Sequence, residues 1–192
     1  MWHIESINVF VRELPPDRGS FVIGRQHSDG PPVTPKKRRP RGFLVVRLEL
    51  ADDKGNRSWG VSGDRPSFGW LDKRPKYPPE KKLQRLLDLV ETAREIYLRS
   101  SKFDSPFEQS LENAEEVSQA GRTGNHEDLS CSFAAALFER ALIDAVCRIQ
   151  KLSVFEAVRE NKLGFRPETV FPELKKFRLK HFLPQRPLTT FN

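Results

Sequence analysis

The sequence is poor in sulfur and has no long apolar run. Cysteine occurs twice, as Cys131 and Cys147, and both fall in one apolar stretch that reads as a helix. Sixteen residues of continuous helix span about 24 Å, whereas a disulfide holds its Cα atoms within about 7 Å. The spacing therefore predicts two free thiols. Neither cysteine has a second ligand at C-x-x-C spacing, which removes the usual zinc arrangement. Two free thiols suit a reducing cytoplasm. No stretch reaches the roughly 20 apolar residues of a membrane helix. The opening residues, MWHIESINVF, lack the basic start and apolar run of a signal peptide. The expectation is a soluble, unexported, cytoplasmic protein with no membrane partner.

Signatures of chemistry are missing too. His3, His27, His126 and His181 are scattered and form no H-x-x-x-H spacing. No serine or cysteine sits in a recognisable nucleophile setting. Gly60-Val61-Ser62-Gly63 lacks the lysine and the following helix of a phosphate-binding loop. The sequence predicts no catalytic residue, no metal site and no cofactor in this chain.

What is present is enough for a core. A domain near 150 residues buries about 70% of the surface its unfolded chain exposes, and this chain has 192 residues. Its hydrophobic share of 37% is modest beside a charged share of 31%, so the core should be lean. Much of the net charge of +7 is local: Lys36, Lys37, Arg38, Arg39 and Arg41 fall within six residues framed by Pro31, Pro32, Pro35 and Pro40. Such a run can attract nucleic acid or another anionic partner, and a stand-alone basic binding module is the alternative reading of the chain. Few aromatics interleave with these charges, so base stacking is not suggested. A solvated loop is the favoured reading of this run, and nucleic acid is not the expected partner.

The order of elements is strands first, then helices, which predicts an α+β fold. Residues 4–14 alternate, with Ile7, Val9 and Val11 on one face. Residues 15–41 form a long loop containing the apolar triplet Phe21-Val22-Ile23. Residues 42–50, GFLVVRLEL, alternate again, and Asp52-Asp53-Lys54-Gly55-Asn56 supplies a turn before a partner strand at 57–61. Together these predict a three-stranded antiparallel meander. A bundle of three to four helices follows. Leu83, Leu86, Leu87, Val90 and Tyr97 recur at helical spacing after Pro78-Pro79. Ser105-Pro106 reads as a cap with proline at the first helical position of a second helix, which stops at Gly121. Residues 129–150 are apolar nearly all round, as in a buried helix. Asp144 precedes Arg148 by four, in the favourable order, and Arg140 is placed to pair with Asp144 as well. A shorter helix is expected at 153–161 and a short helical segment at 173–177.

Three segments carry a family resemblance. The hairpin FLVVRLELADDKGNRSWG ends in a Gly-x-x-x-Trp-Gly pattern at Gly55, Trp59 and Gly60. The helix FAAALFERALIDAVCRIQKLSVFEAV carries Glu139, Ala141 and Asp144 in spacing and leads to a short next helix. The first strand is IESINVFVREL. In these the chain resembles the N-terminal capping domain of the enolase superfamily, in its mandelate racemase and muconate lactonizing branch. It departs from the family at Val61, where glutamate commonly follows Trp-Gly, and in the basic loop between the first two strands.

The resemblance implies a capping domain over residues 1–165, with the basic loop at 15–41, and a tail at 166–192 leading toward a barrel that these residues do not include. Full-length relatives abstract a proton next to a carboxylate with Mg²⁺ as an isomerase or lyase: a racemase, epimerase or dehydratase. Their catalytic groups lie at the ends of barrel strands. The chain alone is therefore expected to be inactive, the barrel to be its partner, supplied by another chain if not by this one, and an uncovered barrel-facing surface to favour homo-oligomers. The Lys180-His181 pair precedes any barrel strand. Glu139 and Asp144 fit ion pairing and helix packing better than acid/base chemistry. By resemblance, the loops after the first and third strands would fold over the substrate. Phe21, Ile23 and Trp59 would supply apolar walls, and Arg25 or Arg65 would meet a substrate carboxylate.

Overall fold

Every second residue from Leu44 to Leu50 is fully buried: Leu44, Val46, Leu48 and Leu50. A period of two is what a strand with one face on the core requires. Each such leucine contributes about 1.5–3 kcal/mol relative to an exposed one. The computed structural model describes residues 1–14, 41–100 and 102–187. In it these residues belong to β2 (Arg41–Asp52), the middle strand of an antiparallel meander between β1 (Trp2–Leu14) and β3 (Arg57–Asp64). Helices follow the sheet, so the fold is α+β, as the order of elements predicts.

The turn between β2 and β3 is built by one side chain. Asp52 accepts hydrogen bonds from the backbone N–H groups of Lys54 and Asn56, both at 2.9 Å, and from Asn56 Nδ2 at 2.8 Å. Gly55 closes the turn at φ 81°, in the left-handed region. In β1 the pairing runs Ile4↔Leu50 and then Ser6↔Glu49, which leaves Glu5 as a bulge. Strict alternation back from Ile7 would turn Glu5 toward the core. The bulge turns Ile4 inward instead, and Ile4 and Ile7 are both buried.

Among the described residues five helices follow, of which α4 and α2 cover the inner face of the sheet. Helix α1 (Phe68–Leu71) is a single turn that periodicity does not reveal. Helix α2 (Pro79–Arg99) begins with proline at its first position and buries Leu86, Leu89, Val90, Ala93, Ile96 and Tyr97 along one stripe. Helix α3 (Pro106–Thr123) starts at the predicted Ser105 cap, whose hydroxyl accepts the Glu108 N–H at 3.2 Å, and runs slightly past Gly121. Helix α4 (Asp128–Gln150) is buried on most sides and ends at Lys151, which takes the left-handed conformation at φ 55°. Helix α5 (Val154–Arg159) opens with a reciprocal capping box between Ser153 and Glu156. Helix α4 lies against β3 and β2, and α2 lies against β1. Tyr97 of α2 stacks on Phe138 of α4 with ring centroids 5.2 Å apart.

Beyond α5 the chain makes three 3₁₀ turns, Pro167–Thr169, Pro172–Leu174 and Leu179–His181. The second replaces the helical segment expected at 173–177. Among the described residues no helix is long and apolar enough to cross a membrane.

Candidate functional site

The line where β3 meets α4 brings together Gly60, Ala141 and Asp144, three of the residues that carried the resemblance. Gly60 faces α4 at such close range that a Cβ there would lie 2.0 Å from the Ala141 carbonyl oxygen and 2.3 Å from the Ala145 nitrogen. Strand and helix backbones therefore touch, and only hydrogen fits between them. Ala141 and Ala145 keep the helix side of the contact equally thin. Beside it, the Val61 N–H donates to Asp144 Oδ2 at 2.9 Å, and Arg148 Nε donates to the same oxygen at 3.0 Å. The Ser62 hydroxyl donates to the Leu137 carbonyl. Asp144 thus satisfies an edge-strand donor and an arginine one helical turn away. That is a structural task, in keeping with its sequence reading. Arg140 does not join it: its guanidinium reaches Asp64 Oδ2 at 3.2 Å. The expected Arg140–Asp144 pair gives way because the end of β3 offers Arg140 a nearer carboxylate.

Trp59 points to the opposite face of the sheet. It is 42% exposed and lies between two guanidiniums, with Arg148 Cζ 4.4 Å and Arg47 Cζ 5.5 Å from its ring centroid. Its expected role as an apolar wall therefore rests on a ring already flanked by cations. Arg65, just past β3, is exposed, and its N–H donates to Asp64 Oδ1 at 2.8 Å. Phe21, Ile23 and Arg25, the other residues assigned to the covering loops, lie outside the described residues, as does the basic run at 36–39.

A polar cavity of about 390 Å³ opens between α5 and the segment after it, lined by Arg159, Arg166, Arg178 and Lys180; a smaller, apolar one of about 190 Å³ lies between α3, α4, α5 and that segment. Phe107, Ile143, Val158, Leu163 and Phe165 form the walls of the apolar cavity, and Glu139 is the one acidic side chain that lines it. The Phe107 and Phe165 rings meet edge to face at 4.8 Å. Burial pushes the Glu139 carboxyl above its ordinary value, opposed by the charge of Arg140. Among the described residues Glu139 makes no salt bridge. Burial also pushes the neighbouring Tyr97 phenol up, with the negative charge of Glu139 adding to the effect. Among the described residues lining the cavity there is no histidine, lysine, cysteine or second carboxylate, and Ser110 is the one hydroxyl, so Glu139 has no titrating partner there for two-group acid/base chemistry. Neither Trp59 nor Arg65 lines this cavity. The sequence names Glu139, but nothing in its spacing shows that the surrounding apolar residues leave space around it.

The resemblance implies Mg²⁺ in full-length relatives. Among the described residues no group of three His, Cys, Asp or Glu side chains could hold a metal ion, so this donor set does not fit a Mg²⁺ site.

No family model matches the sequence, and no curated protein matches it. Among solved structures, the chain is similar to one from Sinorhizobium meliloti described as a "putative isomerase", with 17% identity and a TM-score of 0.41. The match covers 81% of this chain and 36% of that one, so the chain spans about a third of that protein's length.

Proposed function

We propose that this chain is a capping domain of the enolase-superfamily type, mandelate racemase and muconate lactonizing branch. In this reading it serves a Mg²⁺-dependent enzyme that abstracts a proton next to a carboxylate. One observation carries the reading. Three of the residues that carry the resemblance, Gly60 on the hairpin and Ala141 and Asp144 on the helix, meet along one contact in space although some 80 positions separate strand from helix. A chance likeness of two separate segments would not require them to meet through the very residues that define it.

The division of labour follows from the chemistry on the page. Asp144 is engaged with a backbone N–H and an arginine, and Glu139 stands without a base. Proton abstraction and metal binding belong to a barrel supplied by residues outside these 192. The racemase, epimerase or dehydratase outcome is set there. What this chain supplies is a rigid sheet-and-helix support for covering loops, in which Trp59 and Arg65 would stand beside the substrate mouth and Phe21, Ile23 and Arg25 would belong to the other loop.

The test uses exchange of the α-proton. Incubated alone in D₂O with Mg²⁺ and a panel of α-hydroxy acids and sugar acids, the 192-residue chain is expected to leave the α-hydrogen in place. Joined to a family barrel, it is expected to restore exchange to a barrel that is inactive alone. Exchange by the chain without a barrel would overturn the reading, as would a barrel whose exchange is indifferent to it.

A further inference from the structure

The segment from Trp70 to Arg85 carries six basic residues against two acidic ones, Asp72 and Glu80, around two aromatic rings. Lys73, Arg74, Lys76, Lys81, Lys82 and Arg85 all fall within it. Pro79 opens α2, and two prolines before it, Pro75 and Pro78, hold the connection between α1 and α2 out of regular structure. Side chains then fix its path. Arg74 grips Asp72 through two nitrogens, Nε to Oδ1 at 3.0 Å and Nη2 to Oδ2 at 2.7 Å, and its Nη1 donates to the Asn125 carbonyl at 3.0 Å. Arg85 donates to the carbonyls of Gly124 and Asn125 at 2.9 and 2.7 Å. Lys82 donates to the Asp72 carbonyl at 2.7 Å. The connection is strapped to the corner between α3 and α4.

This path surrounds Tyr77 with cations. Arg85 Cζ lies 4.7 Å from the ring centroid, Lys76 Nζ 5.2 Å, and Arg74 Cζ and Lys81 Nζ each 5.6 Å. Close by in sequence, the Trp70 ring is 63% exposed, with Lys73 Nζ 4.5 Å from its centroid. Acidic residues do not cancel the charge. Asp72 and Glu127 are both spent on Arg74. Of the remaining acids on these elements, Glu80 stands at the start of α2 and Asp88 accepts from Gln84. Lys73, Lys76 and Lys81 form no salt bridge among the described residues, and Lys82 and Arg85 bond backbone carbonyls, with Lys82 also close enough to Asp72 to help hold its carboxyl below the ordinary value. Two titratable neighbours register this excess. The Tyr77 phenol is held below its ordinary value, first by its hydrogen bond with Lys76 and then by the charges of Lys76, Arg85 and Arg74. The His126 imidazole is held down by burial and then by Arg85 and Arg74.

An exposed indole beside uncompensated lysines has the two parts that single-stranded nucleic acid requires: a platform for a base and cations for the phosphates. A duplex hides its base faces, and an acidic peptide has no use for the ring. We propose that the segment from Trp70 to Lys81 binds single-stranded nucleic acid, with Trp70 as the stacking platform and Lys73, Lys76 and Lys81 as phosphate contacts. The proposal uses none of residues 36–39 and does not depend on the capping reading.

The experiment follows the anisotropy of a fluorescent oligo(dT) over a salt series starting at about 50 mM. The intact chain is expected to bind with a steep salt dependence. Trp70→Ala should weaken binding about tenfold, the scale of losing one stacked base, with the salt slope unchanged, and Trp70→Phe should restore most of it. The triple change Lys73→Gln, Lys76→Gln, Lys81→Gln should lower the slope of log K against log salt by about 2, from roughly 0.7 per phosphate contact on a single strand. These side chains are at the surface, and circular dichroism checks that each variant folds. No binding by the intact chain at the lowest salt overturns the proposal. So does a Trp70→Ala variant that binds like the parent, loss of all binding when Lys36, Lys37, Arg38 and Arg39 alone are neutralised, or equal affinity for duplex DNA or anionic vesicles.

Discussion

Gly60 packs against α4 and Glu139 projects from the same helix, and the two positions respond to substitution in opposite ways. At Gly60 the atoms in the way are backbone, the Ala141 oxygen and the Ala145 nitrogen, and neither can rotate aside. Gly60→Ala must part β3 from α4, and it is expected to cost about 3 kcal/mol, the upper range for overpacking, seen as a lower urea midpoint. At Glu139 a carboxyl is held above its ordinary value of 4.5 by burial. The folded state therefore binds that proton more tightly than the unfolded chain does. The stability associated with it is fully present below the ordinary value and is lost as pH rises through the raised one. Glu139→Gln should remove this loss, so the variant is expected to be the more stable protein at neutral pH and to converge with the parent in acid. Urea unfolding across that pH range checks it, and equal stability at every pH would show that the carboxyl is well solvated.

At the scale of elements, Ser105 at the start of α3 is one of the points that fasten the segment after α5 to the bundle. The Ser105 hydroxyl caps α3 through Glu108 and lies 3.1 Å from the Gly164 carbonyl, while the Phe107 N–H donates to the Leu163 carbonyl at 3.0 Å. Gly164 sits at φ 72°, and a Cβ there would lie 2.6 Å from the Ser105 hydroxyl. Ser105→Ala removes the cap and the contact together. It should cost about 1 kcal/mol, in the usual range for an N-cap, and speed amide exchange at 107 and 108, which mass spectrometry on the exchanged peptide measures. The sequence reveals this cap because serine followed by proline has a local meaning. It reveals β2, α2 and α4 for the same reason, since each writes its own period in buried residues such as Leu44, Leu86 and Leu137. It hides what depends on distant parts. Helix α1 is too short to show a period, the bulge at Glu5 breaks the period of β1, and Trp59 can be placed only when Arg47 and Arg148 are known to flank it. The basic cluster around Tyr77 was hidden differently: its residues are adjacent in sequence, but the denser run at 36–41 draws the eye, and convergence on one ring appears only once Arg85 has come round a helical turn.

For the molecule as a whole, α4 is the element every other part is built on. Its two thiols, Cys131 and Cys147, are buried and free, and burial pushes both above their ordinary value. Cys131 is also pressed against α3, where a Cβ on Gly121 would lie 2.2 Å from its sulfur. Neither should react with a thiol reagent at a rate set by its own chemistry. Both are expected to be labelled only as fast as the protein opens, with the two rates rising together through the urea transition. Early labelling of Cys147 alone would mean that the C-terminal half of α4 opens separately. The thinness of the contact at Gly60 has a further consequence for assembly. A hairpin that pairs β2 with β3 one residue out of step would present Trp59 or Val61 to the helix instead of glycine, and α4 could not seat. The helix thus works as a gauge that passes a single register, and a chain that mispairs its strands early is left open to try again.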